Sequence, residues 1–372
     1  MENRGLALRS IFIILAIAAF FSGAAGQSGR VQPTPTPPED EPVRIDTEEI
    51  KLNILALDED GSYVSDVQPE DLVITDNDIL HQPTSLRRMP ANVLIVMDTG
   101  GEMRFRKSLD QTRDTALSLV AALSPEDNVA VIQYSDKAEL VENFSSDRER
   151  IATAIGRTKF GRSSAFVDAL DLAIETLAAS PRDNRHLVLI TDGTDSIYGA
   201  TERAAAMRRL LSTDISVHVI SYTRMEANDI EPRTKGISKS PPPKAMPDEV
   251  AATLPNGVRD VARAPKIGPT IIVDRKHLKR MRDRRDDLET SELALTSLAE
   301  NTNGTIVIPI DNEEMIAKTA AVAKFIDSSY VLTYMPKIAI SESPDLRTIT
   351  VTSKRPGLII QAKRKFALPA RQ

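Results

Sequence analysis

The chain has 372 residues, 41% of them apolar, enough to bury a full core and to build two domains. Its formal net charge of −6 and isoelectric point near 5.5 exclude a dedicated nucleic-acid binder. The absence of cysteine excludes disulfides, thiol catalysis, Cys-based zinc sites and a lipidated N-terminal cysteine, and the four histidines are not spaced as a metal motif.

Residues 1–26 have an export pattern: Arg4 and Arg9, an apolar stretch from Ile11 to Phe21, then small residues Ser22 to Gly26. They read as a signal peptide, or as an inner-membrane anchor over residues 6–26, and in either case the remainder lies outside the cytoplasm, periplasmic or secreted. Membrane contact is expected only through such an anchor. Residues 27–45 hold Pro33-Thr34-Pro35-Thr36-Pro37-Pro38, an extended linker without a core. Residues 46–90 read as β, with Ile50 to Leu57 and Leu72 to Thr75 as strands, too few to close a sandwich alone.

From residue 91 the pattern alternates strand and helix, which predicts βαβ units and a mostly parallel sheet with helices on both faces. Strands are predicted at Val93 to Met97, Asn128 to Tyr134, His186 to Thr191 and Ser216 to Ser221, with a short edge strand from Glu139 to Phe144. Helices are predicted at Lys107 to Leu123, Asp147 to Arg157, Ala165 to Ala179 and Thr201 to Leu211. Residues 225–288 break the rhythm with Pro241-Pro242-Pro243 and read as a surface insertion. It ends in a basic helix carrying Arg275, Lys276, Lys279, Arg280, Arg282, Arg284 and Arg285, a solvated face or a patch for an acidic partner. A helix from Ser291 to Glu300, a strand from Thr305 to Ile310 and a helix from Asn312 to Phe325 resume the pattern. Three terminal strands, Tyr330 to Tyr334, Arg347 to Val351 and Leu358 to Ala362, are expected to pair with residues 46–90, so that an α/β domain at 91–328 interrupts a β-sandwich whose second half is 329–367.

Two apolar strands end in an acid: Val93-Leu94-Ile95-Val96-Met97-Asp98 and Leu187-Val188-Leu189-Ile190-Thr191-Asp192. Strand ends on one edge of an open α/β sheet are where ligands bind. His186, before its strand, reads as a surface or edge residue, and Asp168 as a helix-surface or loop-capping residue. A phosphatase of the haloacid dehalogenase type needs a second acid two residues after the first, and position 100 is Gly. Nucleotide-binding Gly-rich loops and a Gly-x-Ser-x-Gly elbow are absent. The chain is therefore read as non-enzymatic.

Residues 91–224 and 289–328 resemble a von Willebrand factor A domain. Leu57 to Leu72, Leu298 to Gly304 and Tyr330 to Pro336 are similar to flanking segments of the bacterial family of VWFA-related acidobacterial domain proteins. The resemblance implies a metal-ion-dependent adhesion site on three loops, here Asp98-Thr99-Gly100-Gly101-Glu102, Ser163-Ser164 and Thr191-Asp192-Gly193. Its ligands would be Asp98, Glu102, Ser164 and Asp192, around Mg²⁺ or Mn²⁺. Thr99, Gly100, Gly101, Ser163 and Gly193 would form the partner-binding surface. Gly100 and Glu102 replace the two serines of the pattern, which degrades the site, because Mg²⁺ takes six oxygen ligands. The ligand count favours an edge that hydrogen-bonds internally and meets a protein partner, as an adhesion module, without metal. The rival is an envelope assembly or scaffold factor acting through residues 225–288.

Overall fold

A computed structural model describes residues 49–101, 108–238, 246, 248–263, 270–271, 274–339, 346–363 and 365–367. The expected signal or anchor, the Pro-rich linker, Glu102 and Pro241 to Pro243 lie outside the described residues.

The α/β part is a six-stranded sheet in the order β12-β9-β8-β5-β6-β7. Its strands are β5 (Asn92–Asp98), β6 (Asn128–Tyr134), β7 (Ala138–Ser145), β8 (Arg185–Thr191), β9 (Ser216–Ser221) and β12 (Ile306–Val307). All pairs are parallel except β7 on β6, at the edge. Burial on both faces explains the unbroken apolar runs. In β5, Val93, Ile95 and Met97 face α1 (Leu109–Ala122) and α7 (Asn312–Asp327). Leu94 and Val96 face α3 (Phe166–Ala178), α4 (Ala200–Leu211) and the C-terminal part of α6 (Arg275–Asn301).

Helix starts follow their capping chemistry. Ser108 accepts from the Gln111 N–H while the Gln111 side chain accepts from Ser108 N–H, and Asp147 caps α2 (Arg148–Gly156) through the N–H groups of Glu149 and Arg150. Asp274 caps α6 through the N–H groups of Lys276 and His277. The basic helix and the helix from Ser291 are thus one 27-residue helix, not two. Before it come α5 (Thr223–Ile230), three short helical segments at Glu231–Thr234, Asp248–Ala251 and Val258–Arg263, and the pair β10 (Ile237–Ser238) with β11 (Thr270–Ile271). The insertion is not purely a surface feature: Met281 and Leu288 pack with Ile230 in a small buried cluster. The strand expected over Thr305 to Ile310 shortens to β12.

Two antiparallel sheets complete the fold, β15-β1-β13-β4 and β16-β14-β2-β3. Their strands are β1 (Ile50–Leu57), β2 (Leu72–Asp76), β3 (Ile79–His81), β4 (Ser85–Arg87), β13 (Tyr330–Tyr334), β14 (Leu346–Ser353), β15 (Ile359–Ala362) and β16 (Lys365–Ala367). Each sheet joins strands from before and after the α/β part: Ile50 lies opposite Tyr334, and Asp76 opposite Ile349. They share a core of Ile50, Leu52, Ile54, Leu72, Ile74, Leu332, Ile349 and Val351. Polar bonds tie this β layer to the α/β sheet, where Asn53 Nδ2 donates to Arg185 O and Ser216 Oγ, and Asn303 Nδ2 donates to Asn53 O.

Candidate functional site

Because β5 and β8 are neighbours, their C-terminal ends bring Asp98 and Asp192 to one edge, buried to 0% and 1% exposure. Asp98 Oδ1 accepts from Gly100 N–H at 3.1 Å. Tyr134 O–H donates to Thr191 Oγ1 at 2.5 Å, and Thr191 in turn donates to Asp98 Oδ2 at 3.5 Å. Burial first, then the charges of Asp98 and Asp192, hold the Tyr134 hydroxyl well above its ordinary pKa, so it remains a donor.

The second loop folds onto the first through glycines. Gly161 N–H donates to Thr99 O. A Cβ at Gly100 would lie 1.9 Å from Ser163 O and 2.8 Å from Ser135 Cα, so no side chain fits at this position of the backbone. Ser164 Oγ donates to Thr194 O at 3.0 Å, and Ser164 N–H donates to Ser196 Oγ at 2.7 Å. Ser163 N–H donates to Asp136, a bond that lowers the Asp136 carboxyl below its usual range.

In the third loop, Asp192 Oδ1 accepts from Thr194 N–H at 3.0 Å and from the Thr194 hydroxyl at 2.6 Å. Its Oδ2 accepts from Arg284 Nη2 at 3.0 Å, and Arg284 Nη1 donates to Thr194 Oγ1 at 2.7 Å. The Arg284 side chain is only 14% exposed. Burial alone would depress this guanidinium. The carboxylates of Asp192, Glu226, Asp287 and Asp98 outweigh it and raise the pKa above the usual value. Ser291 Oγ, two turns along α6, donates to Asp192 O at 2.8 Å.

This arrangement does not fit a divalent ion. Gly100 offers no side-chain oxygen, and both Asp192 oxygens already accept hydrogen bonds, Oδ1 from Thr194 and Oδ2 from the Arg284 guanidinium. Among the described residues no cluster of three His, Asp or Glu is placed to hold a metal. Asp98 and Asp192 end neighbouring strands, Ser164 bonds Thr194 of the Asp192 loop, and Glu102 lies outside the described residues. Of the expected partner surface, Thr99, Gly100 and Gly193 are buried, and only Gly101 and Ser163 are half-exposed. Of the basic residues, Arg275, Lys276, Lys279, Arg280 and Arg282 are exposed, Arg285 pairs with Asp286 and Glu231, and Arg284 turns inward.

His186 corrects the expectation of a surface residue, because it is fully buried. Thr305 N–H donates to His218 Nδ1, which fixes the tautomers: His218 Nε2–H donates to His186 Nδ1 at 2.9 Å, and His186 Nε2–H donates to Asn184 Oδ1 at 2.8 Å. The relay holds the ends of β8 and β9 without carrying charge.

Sequence reasoning missed Arg284, hidden in a run of cations, although Met281, Leu288, Leu295 and Leu298 mark a buried stripe at helical spacing into which position 284 falls. It also missed the segment after the third loop. Asp195 accepts from the N–H groups of Val167, Ile197 and Tyr198, and the Tyr198 hydroxyl bonds to Asp168. Ile197 and Tyr198 are thereby held outward, 49% and 38% exposed.

Residues 93–194 match the family model of the von Willebrand factor type A domain. An uncharacterized protein of Synechocystis sp., sll0103, is 29% identical over 140 residues, covering 37% of this chain and 33% of that protein. Human inter-alpha-trypsin inhibitor heavy chain H4 is 30% identical over 140 residues, covering 33% of this chain and 14% of that one. The chain thus spans a third or less of the length of these relatives. Among solved structures, a von Willebrand factor type A protein from Catenulispora acidiphila covers 87% of this chain and 74% of its own, at 10% identity and TM-score 0.40. An aerotolerance-related membrane protein from Bacteroides fragilis covers 64% and 99%, at 19% identity and TM-score 0.39. The strand-end acids, the three loops and the family match agree: residues 93–194 of this chain belong to the von Willebrand factor type A domain family.

Proposed function

We propose that this chain is a non-enzymatic protein-interaction module, exported from the cytoplasm, whose A-domain edge engages a protein partner without a bridging metal. The observation that carries this reading is the presentation of Ile197 and Tyr198, held by the Asp195 bonds next to Ser196, which bonds the Ser164 carbonyl, on an edge whose carboxylates are already bonded within the chain. An aromatic and an aliphatic side chain fixed by backbone bonds lose little freedom on binding, the usual character of an interface anchor. The N-terminal apolar stretch followed by small residues supports export. A second reading, a scaffold factor working through the insertion, is favoured by the exposed cations Arg275, Lys276, Lys279 and Arg280 at the start of α6.

Crosslinking of the full chain in intact cells separates the two. Ile197→Asp with Tyr198→Ala should abolish the crosslinked product, and EDTA should leave the wild-type product unchanged. Loss of product only when the four exposed cations become Glu would replace the first reading by the second.

A further inference from the structure

The degraded metal loop and the basic insertion are parts of one arrangement. Asp98 and Asp192 place two carboxylates in the interior at adjacent strand ends, and buried carboxylates of like charge require a counter-charge. We infer that Arg284 is the built-in cation of this A-domain edge, replacing a divalent metal by a guanidinium delivered from the insertion helix.

The geometry is specific to such a role. Arg284 reaches Asp192 directly and also through Thr194, whose hydroxyl donates to Asp192 and accepts from Arg284. The helix that carries it is fixed on the same loop and around it. Ser291 bonds the Asp192 carbonyl, Asp287 pairs with Arg203 on α4 at 3.1 Å, and Glu292 accepts from Thr223 and Arg224 at the start of α5. Gly193, at φ +67°, lets Ser291 and Leu295 approach closer than any Cβ would permit. Met281, Arg284, Leu288, Ser291, Leu295 and Leu298 therefore form one inward stripe, and the single cation in it points at the acidic edge.

The two kinds of cation act differently. A divalent ion offers an open coordination position that a partner's carboxylate can fill. A guanidinium accepts no lone pair into a coordination shell; it donates hydrogen bonds in a fixed plane, and two of its nitrogens are already bonded. The edge is thereby closed to metal and indifferent to chelators. This inference is independent of partner binding, because its test reads the response to metal alone.

The test compares the full chain with Arg284→Met and Arg284→Lys by urea unfolding in EDTA, Mg²⁺ or Mn²⁺, and by calorimetric titration of Mn²⁺. The wild type should unfold at the same urea concentration in all three and bind no Mn²⁺. Arg284→Met should unfold at lower urea in EDTA and recover part of the loss in Mn²⁺, with Mn²⁺ binding measurable by calorimetry where the wild type shows none. Asp192→Asn added to it should remove that response. Arg284→Lys should stay blind to metal, and it supplies the comparison if the Met variant does not fold. Stoichiometric Mn²⁺ binding by the wild type, a Met variant as stable and metal-blind as the wild type, or a Lys variant that responds to Mn²⁺ would each overturn the inference.

Discussion

Restoring the serine of the adhesion-site pattern by Gly100→Ser should damage the protein rather than repair a metal site. A Cβ at position 100 meets the Ser163 carbonyl oxygen at 1.9 Å and Ser135 Cα at 2.8 Å. Both obstacles are backbone, so no rotamer change relieves them. The first and second loops must separate, and with them goes the Gly161–Thr99 bond. Overpacking against a rigid wall costs about 1–3 kcal/mol, and backbone contact on two sides places this case near about 3 kcal/mol. For a folded unit of this size that corresponds to a fall in Tm of roughly 4–5 °C. Urea unfolding at neutral pH measures the loss directly, with the slope m reporting whether the native state has changed. Gly156→Ala, at the last position of α2 where nothing lies within 4 Å, is the control and should be neutral or slightly stabilising. A Gly100→Ser variant with an unchanged midpoint, or one that becomes dependent on Mg²⁺, would refute the reasoning.

Two further outcomes are expected. Burial lowers the His186 pKa from 6.5 to about 3 and holds His218 well below its usual value. The unfolded chain therefore binds more protons between those limits, and stability falls as pH drops from about 6.5 toward 3, by on the order of 5 kcal/mol for His186 alone. Asp127, raised by burial to about 6, opposes this between 6 and 3.8 but to a smaller extent. His186 or His218 ring NMR signals that titrate between pH 5 and 7, or urea midpoints that stay flat down to pH 5, would contradict it. A chain ending at residue 328 loses β13 and β15, the neighbours of β1 on both sides, and β14, the partner of β2. It should bind a hydrophobic dye and unfold without a cooperative transition at the β layer, and a fully cooperative, dye-silent truncation would show that the terminal strands do not share a core.

The sheet was legible in the sequence because burial on both faces writes itself as a run, as in Val93 to Met97 and Leu187 to Ile190. The alternation of β14, with Arg347, Ile349 and Val351 inward and Leu346, Thr348 and Thr350 outward, was equally plain except that its first inward residue is an arginine. The loops that carry Asp98 and Asp192 could be placed from strand ends, and the loop of Ser164 from the family resemblance. What could not be placed were pairings between residues far apart in the chain. Arg284 looks like its exposed neighbours until Asp192, 92 residues earlier, is put beside it. His186 looks like an exposed strand start until His218 and Asn184 supply its neutral hydrogen bonds. The reach of α6 was also hidden, since a charged first half and an apolar second half read as two elements.

The chain leaves the β layer through β4 and returns through β13, and these two strands pair side by side, Arg87 opposite Val331 and Ser85 opposite Thr333. The A domain is thus a loop closed at its neck. Tension applied between Ile50 and Ala362 acts on β1 against β15 and β13, while the stretch between the neck strands lies off the path of the force. Tension along the chain would load the β layer first, and the edge that carries Asp98 and Asp192 would stay unstretched until the neck strands part.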